Sequence, residues 1–491
     1  MSDKKVVKAV GLGGLVALVF GSMVGTGVFD LPRNMTSDGA GGLAILIAWA
    51  ITALGMIALG YSFLNLSRRR PDLEGGVFSY AREGFGEYWG FNNAWAYWIS
   101  ALLGNVAYAV GLLSAIQFFL PEGLIFGDAG PTILGIAAVS IVLWLVHFLI
   151  VNGVQTATLV NVVVTIAKAI PLILFAFLVV IAFNWETFSA SFLGGLKAIS
   201  WAADVGDIPS ILNQVRSTML ATVWSFIGVE GAVLFSSRAR NTKDVGKATI
   251  IGLLSVIGLY MVITIASLGV MSHSEIGAIS TFPATATILQ SIVGPWGAAV
   301  INVGVIISIS GAWLAWTLLA TETPYLAAQQ GLFPEGFAKL NKNATPTFSL
   351  LVSNIIVQLF LVLVYLATDA YEFGYTMASS AILFPYAFSA FFQVKYMLKE
   401  KEIDHGRALQ VVIGAIASVY ALWLFYGAGL EYMAFTCLLF VPALGVYLYH
   451  QWKKGVRPLL KIYEWVFAIA LSALGFLGLY WVIIGQLELF G

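Results

Sequence analysis

Near its start the sequence reads Gly21-Ser22-Met23-Val24-Gly25-Thr26-Gly27-Val28-Phe29. This stretch lies inside an apolar run, from Ala9 to about Leu31, that is long enough to cross a bilayer. Its three glycines make a poor helix interior, because each costs roughly 1 kcal/mol relative to alanine. An unwound turn in hydrocarbon leaves amides and carbonyls that protein or a polar ligand must satisfy. The stretch therefore predicts a broken helix that is either a close-packing surface or a ligand site.

A second break of the same kind follows about 200 residues later. Ser225-Phe226-Ile227-Gly228-Val229-Glu230-Gly231 repeats the Ser-x-x-Gly spacing of the first stretch, again within an apolar run. Paired broken helices in two halves of a membrane chain indicate a transporter's binding site. Amides freed after the first break suit a carboxylate, and carbonyls freed at the second suit an ammonium group. Together the breaks predict a receptor for the backbone groups of an amino acid.

Composition indicates a protein that is integral to a membrane. Of 491 residues, 59% are hydrophobic and only 10% are charged, whereas soluble domains carry roughly a quarter charged residues. The mean hydropathy is +0.90. The single cysteine, Cys437, and four scattered histidines show no disulfide or metal-ligand spacing, so we predict no cofactor and no metal.

Hydropathy predicts an all-α polytopic membrane protein with about 13 transmembrane helices. The eighth span is expected to hold one long helix preceded by a shorter piece. The predicted spans are 10–36, 41–66, 89–119, 131–151, 157–183, 213–237, 248–271, 285–330, 347–367, 371–398, 409–427, 430–450 and 463–486.

The distribution of basic residues predicts the orientation. With 13 spans, 21 of the 25 lysines and arginines fall on one side of the membrane, while the loops of the other side are rich in acids. Because basic residues mark the cytoplasmic side, we predict a cytoplasmic N-terminus and a C-terminus outside.

Two five-helix repeats are predicted from the position of the second break. Because five is odd, the second repeat enters the membrane from the opposite side, and the repeats are inverted. We place them at residues 1–183 and 213–398, within a transporter core of residues 1–398. Residues 399–491 add three further transmembrane helices.

The motifs resemble those of the amino acid–polyamine–organocation (APC) superfamily, and more narrowly the bacterial basic amino acid/polyamine antiporters of the arginine/ornithine type. Besides the first stretch, the similar segments are PDLEGGVFSY at 71–80, WSFIGVE at 224–230, WTLLA at 316–320 and GLFP at 331–334. The resemblance covers spans 1 to 10 and implies a LeuT-like 5+5 inverted repeat with broken helices 1 and 6. It also implies a location in the inner (cytoplasmic) membrane of a bacterial cell. Arginine/agmatine exchangers have twelve spans, so the extra span fits the arginine/ornithine branch better.

The resemblance implies a substrate site made of backbone at the breaks together with aromatic and polar side chains. Trp224 and Trp316 match positions where the family stacks a ring on a cationic substrate, a contact worth roughly 0.5–2 kcal/mol. The alternative is an interfacial anchor or core filler. Asn105 matches the side-chain pocket, although an interhelical hydrogen bond explains it equally well. The predicted substrate-binding residues are Ser22, Gly25, Thr26, Gly27, Asn105, Trp224, Ile227, Gly228 and Trp316.

Four residues are expected to act in gating or coupling. Tyr97 matches an outer-gate position, and Glu230 resembles the carboxylate that links substrate occupancy to gating. Lys168 resembles a lysine whose ammonium stands where sodium binds in sodium-coupled relatives, and a role in proton coupling is the other option. Glu322, further along span 8, either faces the inner pathway or pairs with a basic residue.

Asp30, at the outer end of the first span, is a candidate for cation selection. Acidic groups around an entrance concentrate cations, and many relatives have an apolar residue at this position. A vestibule charge or a partner for Arg33 is an equally good interpretation of this carboxylate.

The leading prediction is a secondary antiporter that exchanges a cationic amino acid for its cationic product by alternating access, with arginine/ornithine as the first candidate pair. Lysine/cadaverine, histidine/histamine or arginine/agmatine exchange and proton-coupled uptake are the rivals. An enzyme would need a nucleophile–base pair or metal cluster at membrane depth, and a channel a filter motif or charged ring. The sequence indicates neither. The expected partners are small-molecule amino acids and no nucleic acid, with a homodimer as one option for assembly.

Overall fold

The computed structural model describes residues 11–73, 75–127, 130–152, 158–230, 242–366, 369–400 and 406–485. Both termini, whose sides of the membrane the charge pattern predicts, lie outside these residues. The same is true of Gly231 and the rest of the second half of predicted span 6, residues 231–237. The described residues are mostly helical.

The helices differ widely in length, from single turns to spans of more than 30 residues. In chain order they are α1 (Leu12–Met23), α2 (Gly27–Thr36), α3 (Gly42–Arg69), α4 (Val77–Phe85), α5 (Glu87–Gln117), α6 (Ile133–Val151), α7 (Thr158–Ile181), α8 (Trp185–Ala190), α9 (Ile211–Ser217), α10 (Met219–Phe226), α11 (Thr242–Ser267), α12 (His273–Gly277), α13 (Ala284–Val293), α14 (Pro295–Gln329), α15 (Thr347–Val364), α16 (Ala370–Lys399), α17 (Arg407–Gly427), α18 (Leu430–Leu438), α19 (Phe440–Lys453) and α20 (Ile462–Ile483). A 3-10 helix, Glu335–Ala338, and two antiparallel strands, β1 (Phe126–Gly127) and β2 (Gly130–Pro131), complete the described elements.

The long apolar helices confirm a polytopic membrane protein. In the described part of the chain, ten helices are long and apolar enough to cross a membrane, or 11 if the bent pair α1–α2 counts as one span. The short helix followed by a long one that was predicted in span 8 is confirmed by α13 and α14. Every predicted span contains described helix, and the total of 13 crossings stays a prediction.

The chain divides into two compact units. The first comprises the described residues within Met1–Arg69 and Thr156–Ala312, and so contains both helix breaks. In it α1 packs against α7 and α11, while α2 packs against α10, α12 and α13. Each unit takes segments from both predicted repeats, so compactness does not follow the predicted repeat boundaries.

The second unit comprises the described residues within Arg70–Gln155 and Trp313–Gly491. The most extensive helix packing within it is between α5 and α16. The helices after residue 399 belong to this same unit, since α17 and α18 both pack on α16 and α20 packs on α18. Close backbone approach explains the last contact, because a Cβ built on Gly475 of α20 would lie 2.7 Å from Cα of Leu438.

Candidate functional site

The first break separates α1 from α2 and bends the pair by 47°. Val24 leaves the helix with φ −76° and ψ 92°, and Thr26 is the N-cap of α2. The predicted interruption at Gly25 to Gly27 is therefore confirmed. The last carbonyls of α1 and the first amides of α2 lose their intrahelical partners as a result.

Lys168, on α7, caps the end of α1. Its Nζ donates to the carbonyl oxygen of Gly21 at 2.7 Å and also to that of Val24. The side chain is only 3% exposed, and the negative end of a helix dipole attracts a cation. This placement suits the predicted role in which the ammonium stands where sodium binds in related transporters.

Two hydroxyl groups satisfy further carbonyls of the first break. The Tyr260 hydroxyl, on α11, donates to the carbonyl of Met23 at 3.2 Å. The Ser308 hydroxyl, on α14, donates to the carbonyl of Gly25 at 3.4 Å. Sequence reasoning missed both residues, because a lone tyrosine or serine in an apolar span does not indicate which distant carbonyl it contacts.

The start of α2 offers hydrogen-bonding groups that a ligand could use. The first amides of a helix have no partner within that helix. The Thr26 hydroxyl beside them is fully buried and has no hydrogen-bond partner among the described residues. An unpaired buried hydroxyl is costly, so a polar ligand bound here would restore a missing hydrogen bond.

The predicted second break begins after α10, which ends at Phe226. Gly228 adopts φ +108°, a conformation that side-chain-bearing residues rarely adopt. Its amide donates to Oε2 of Glu230 at 3.2 Å, and Glu230 is 6% exposed. The structure thus places the Glu230 carboxylate within the break, where the sequence puts it.

The two breaks touch each other through their backbones. The Ser22 hydroxyl lies 3.0 Å from the carbonyl oxygen of Gly228, and a Cβ built on Gly228 would overlap the carbonyl oxygen of Ser22. A Cβ built on Gly27 would lie 2.7 Å from Cδ1 of Trp224. Contact and chain continuity therefore bring together the seven predicted substrate-binding residues of the first unit, Ser22, Gly25, Thr26, Gly27, Trp224, Ile227 and Gly228.

Asp30 forms hydrogen bonds with other groups of the protein. Its Oδ2 accepts from Nε of Arg33 at 2.8 Å, and its Oδ1 accepts from the amide of Ala284 at 2.8 Å. The side chain is completely buried. The structure therefore shows the ion pair with Arg33, and cation selection by Asp30 stays a prediction.

The remaining predicted residues belong to the second unit. Asn105 of α5 is 1% exposed, and its Oδ1 has no hydrogen-bond partner in the described part of the chain. Tyr97 lies two turns earlier on α5 and is also buried. Trp316 and Glu322 lie on α14. No ion pair joins Glu322 to a basic side chain within the described residues, and both alternatives for this carboxylate stay predictions.

Ser379 and Ser380 of α16 are residues that sequence reasoning missed. Both are completely buried, and neither hydroxyl has a hydrogen-bond partner among the residues that the structure describes. They lie on the helix that packs against α5, where the Ser100 hydroxyl donates to the carbonyl of Ala378 at 2.7 Å. Two adjacent serines in an apolar span were the available signal.

Comparison with known proteins gives consistent matches over nearly the whole chain. The family model described as amino acid permease matches residues 11–445. An arginine/ornithine antiporter of Pseudomonas aeruginosa is 43% identical over 91% of this chain and 91% of its own length. An arginine/ornithine antiporter of Latilactobacillus sakei is 36% identical over 99% of this chain and 100% of its own length. An arginine/agmatine antiporter of Chlamydia abortus is 37% identical over 91% of each chain.

Proposed function

We propose that this chain, which belongs to the amino acid permease family, is an antiporter that exchanges arginine for ornithine. Family membership confirms the resemblance found in the sequence motifs. It also confirms that the chain is a transporter of small molecules and not an enzyme. The relatives from Pseudomonas aeruginosa and Latilactobacillus sakei, at 43% and 36% identity, support this substrate pair.

The contact between the two helix breaks is the observation that carries the proposal. The N-terminal end of α2, with the Thr26 hydroxyl that has no partner among the described residues, holds the α-carboxylate of the substrate. The carbonyl end of α10, next to Gly228, holds the α-ammonium group. Because the breaks meet through backbone, both groups of one amino acid are bound without regard to its side chain. Side-chain selection therefore needs other residues.

A cationic side chain is favoured by its aromatic and polar surroundings. The Trp224 indole lies against Gly27 at the first break and supplies a ring face for a cation. We assign Trp316 a similar role from the resemblance. From the resemblance we also assign Asn105 to side-chain recognition, and its Oδ1, without a partner among the described residues, is an acceptor that suits a guanidinium or ammonium group. An unpaired substrate carboxylate would instead be desolvated at a cost of several kcal/mol.

Alternating access follows from the arrangement that we propose for the helices. Two inverted five-helix repeats form the core, and three further helices bring the total to 13. Glu230 links substrate occupancy to gating, and Tyr97 and Glu322 lie along the outer and inner pathways. The charge pattern supports a cytoplasmic N-terminus and an outer C-terminus in the bacterial inner membrane, and we propose a homodimer as the assembly.

Exchange in liposomes tests the proposal. Vesicles containing the purified protein are loaded with labelled ornithine, and arginine, ornithine, agmatine, lysine, histidine, leucine or glutamate is added outside. We expect rapid efflux with arginine or ornithine and none with glutamate. One-for-one exchange of the two carries no net charge near neutral pH, so an imposed membrane potential should barely change the rate.

A matched pair of tryptophan variants sharpens this experiment. Trp224→Leu should weaken arginine binding by about three- to thirtyfold if a cation–π contact is lost. Trp185→Leu removes a tryptophan of the same unit that is 71% exposed, and should change nothing. Efflux driven by agmatine but not ornithine would move the assignment to arginine/agmatine exchange. Efflux driven by leucine or glutamate, with arginine silent, would exclude the cationic substrates.

A further inference from the structure

A buried ion pair lies on α2, directly after the first break. Asp30 is completely buried and Arg33 is 8% exposed, and their Nε–Oδ2 distance is 2.8 Å. Buried charges in a membrane protein are costly and usually have a function. The carbonyls of the first break accept hydrogen bonds from Lys168 and two hydroxyl groups. The pair therefore needs a separate explanation.

Asp30 supplies the N-terminal capping hydrogen bond that the N-cap residue of α13 cannot provide. The N-cap of that helix is Pro283, which has no side-chain hydrogen bond to offer. Asp30 Oδ1 accepts from the amide of Ala284, the first residue of α13, at 2.8 Å. A carboxylate at a helix N-terminus is favoured both by the free amides and by the helix dipole. One helix is thus capped by a carboxylate that belongs to another.

Further contacts run the length of α2. The Thr285 hydroxyl donates to the carbonyl of Phe29 at 2.7 Å, near the start of the helix. Arg33 Nη1 donates to the carbonyl of Ile279 at 3.4 Å, after α12. At the end of α2, a Cβ built on Gly277 would lie 2.9 Å from the carbonyl oxygen of Thr36.

We infer that Asp30 and Arg33 are positioning residues that fix residues 277–293 to α2, so that this segment and the half-helix after the break shift as one body during transport. This inference rests on the proposed exchange at the breaks. Both members of the ion pair bond to this segment. Asp30 accepts from the amide at the start of α13, and Arg33 donates to a carbonyl in the chain that precedes α13. A rearrangement of the break on substrate binding is then transmitted to α13.

Hydrogen exchange of the full-length protein in lipid nanodiscs tests the link without any substrate. In Asp30→Ala the amides at the start of α13 lose their cap, and we expect exchange in the peptide covering Ala284–Val293 to rise by about tenfold. Thr264→Val is the matched control, because it removes an equally buried hydrogen bond, from Trp49, within the same unit. Unchanged protection of Ala284–Val293 in Asp30→Ala would overturn the inference.

The functional test separates binding from turnover. Asp30→Leu/Arg33→Met removes both charges, so neither is left buried and unpaired. We expect arginine affinity within about twofold of the wild type, and a turnover per folded transporter lower by about tenfold. A purely structural pair would change thermal stability and leave turnover unaltered, which would contradict coupling. If the wild type exchanges neither arginine nor ornithine, the proposed function fails, while hydrogen exchange still decides whether the segment is fixed to α2.

Discussion

The two helix breaks look alike in sequence, but the structure stabilises them differently. At the first, Val24 and Thr26 keep negative φ angles, and side chains from three other helices satisfy the carbonyls. At the second, within the described residues, Gly228 has a φ of +108° and packs against the backbone of Ser22, and its amide donates to Glu230. The carbonyls of the first break are therefore satisfied by distant side chains, whereas the described part of the second break requires a residue without a side chain at position 228. Substitutions should affect them to different extents.

Gly228→Ala should have the largest effect. The added Cβ is disfavoured at positive φ by roughly 1–2 kcal/mol, and it also overlaps the carbonyl oxygen of Ser22. Since each 1.4 kcal/mol is tenfold, we expect arginine affinity to fall by about a hundredfold or more. Radioligand binding to the purified, monodisperse protein measures this loss.

A glycine with room around it provides the control. Gly258, on α11 of the same unit, has no atom within 4 Å of a Cβ built on it. Gly258→Ala should bind arginine normally. Normal affinity in Gly228→Ala would mean that the second break tolerates a side chain, and the contrast between the breaks would disappear.

Lys168→Ala should have the next largest effect, at the first break. It leaves the carbonyls of Gly21 and Val24 without their charged donor, and a hydrogen bond to a charged group contributes about 1.5–3 kcal/mol. We expect exchange to slow by about tenfold to a hundredfold. Lys197→Ala, which changes an exposed lysine of the same unit, is the control.

Sodium distinguishes the proposed role of Lys168 from a general packing role. With the ammonium on the α1 carbonyls, wild-type exchange should run equally fast in sodium-free and sodium-rich buffer. A steep sodium requirement in the wild type would show that the lysine does not replace the ion.

Much of this arrangement could be predicted because it depends on local sequence. Glycine spacing and an apolar run predict a broken membrane helix, and the interruption between α1 and α2 lies at the expected residues. The motifs also predict the transporter family, which the comparisons confirm. The same spacing does not reveal that Gly228, and not the glycines of the first break, has the positive φ.

Long-range partners could not be predicted. Lys168, Tyr260 and Ser308 contact carbonyls that are more than 140 positions away in the chain. Asp30 shows the same limit. Its spacing from Arg33 permits an ion pair, but its bond to the amide of Ala284, 254 positions later, depends on the tertiary fold.

The smallest expected effects rank the two neutral donors at the first break. Tyr260→Phe removes the hydroxyl that donates to Met23 at 3.2 Å and keeps the ring that packs against Phe226 and Trp49. A neutral hydrogen bond contributes about 0.5–1.5 kcal/mol, so exchange should slow by about two- to tenfold. Ser308→Ala removes a longer bond, of 3.4 Å, and its effect on the exchange rate should lie at or below the lower end of that range.

Initial efflux rates, normalised to reconstituted protein, give the order of the three variants at the first break. If the first break depends on its side-chain donors as the distances indicate, Lys168→Ala is slowest, Tyr260→Phe follows and Ser308→Ala is closest to the wild type. Equal rates in all three variants would instead show that the α1 carbonyls need no particular donor, so that both breaks are set by backbone alone.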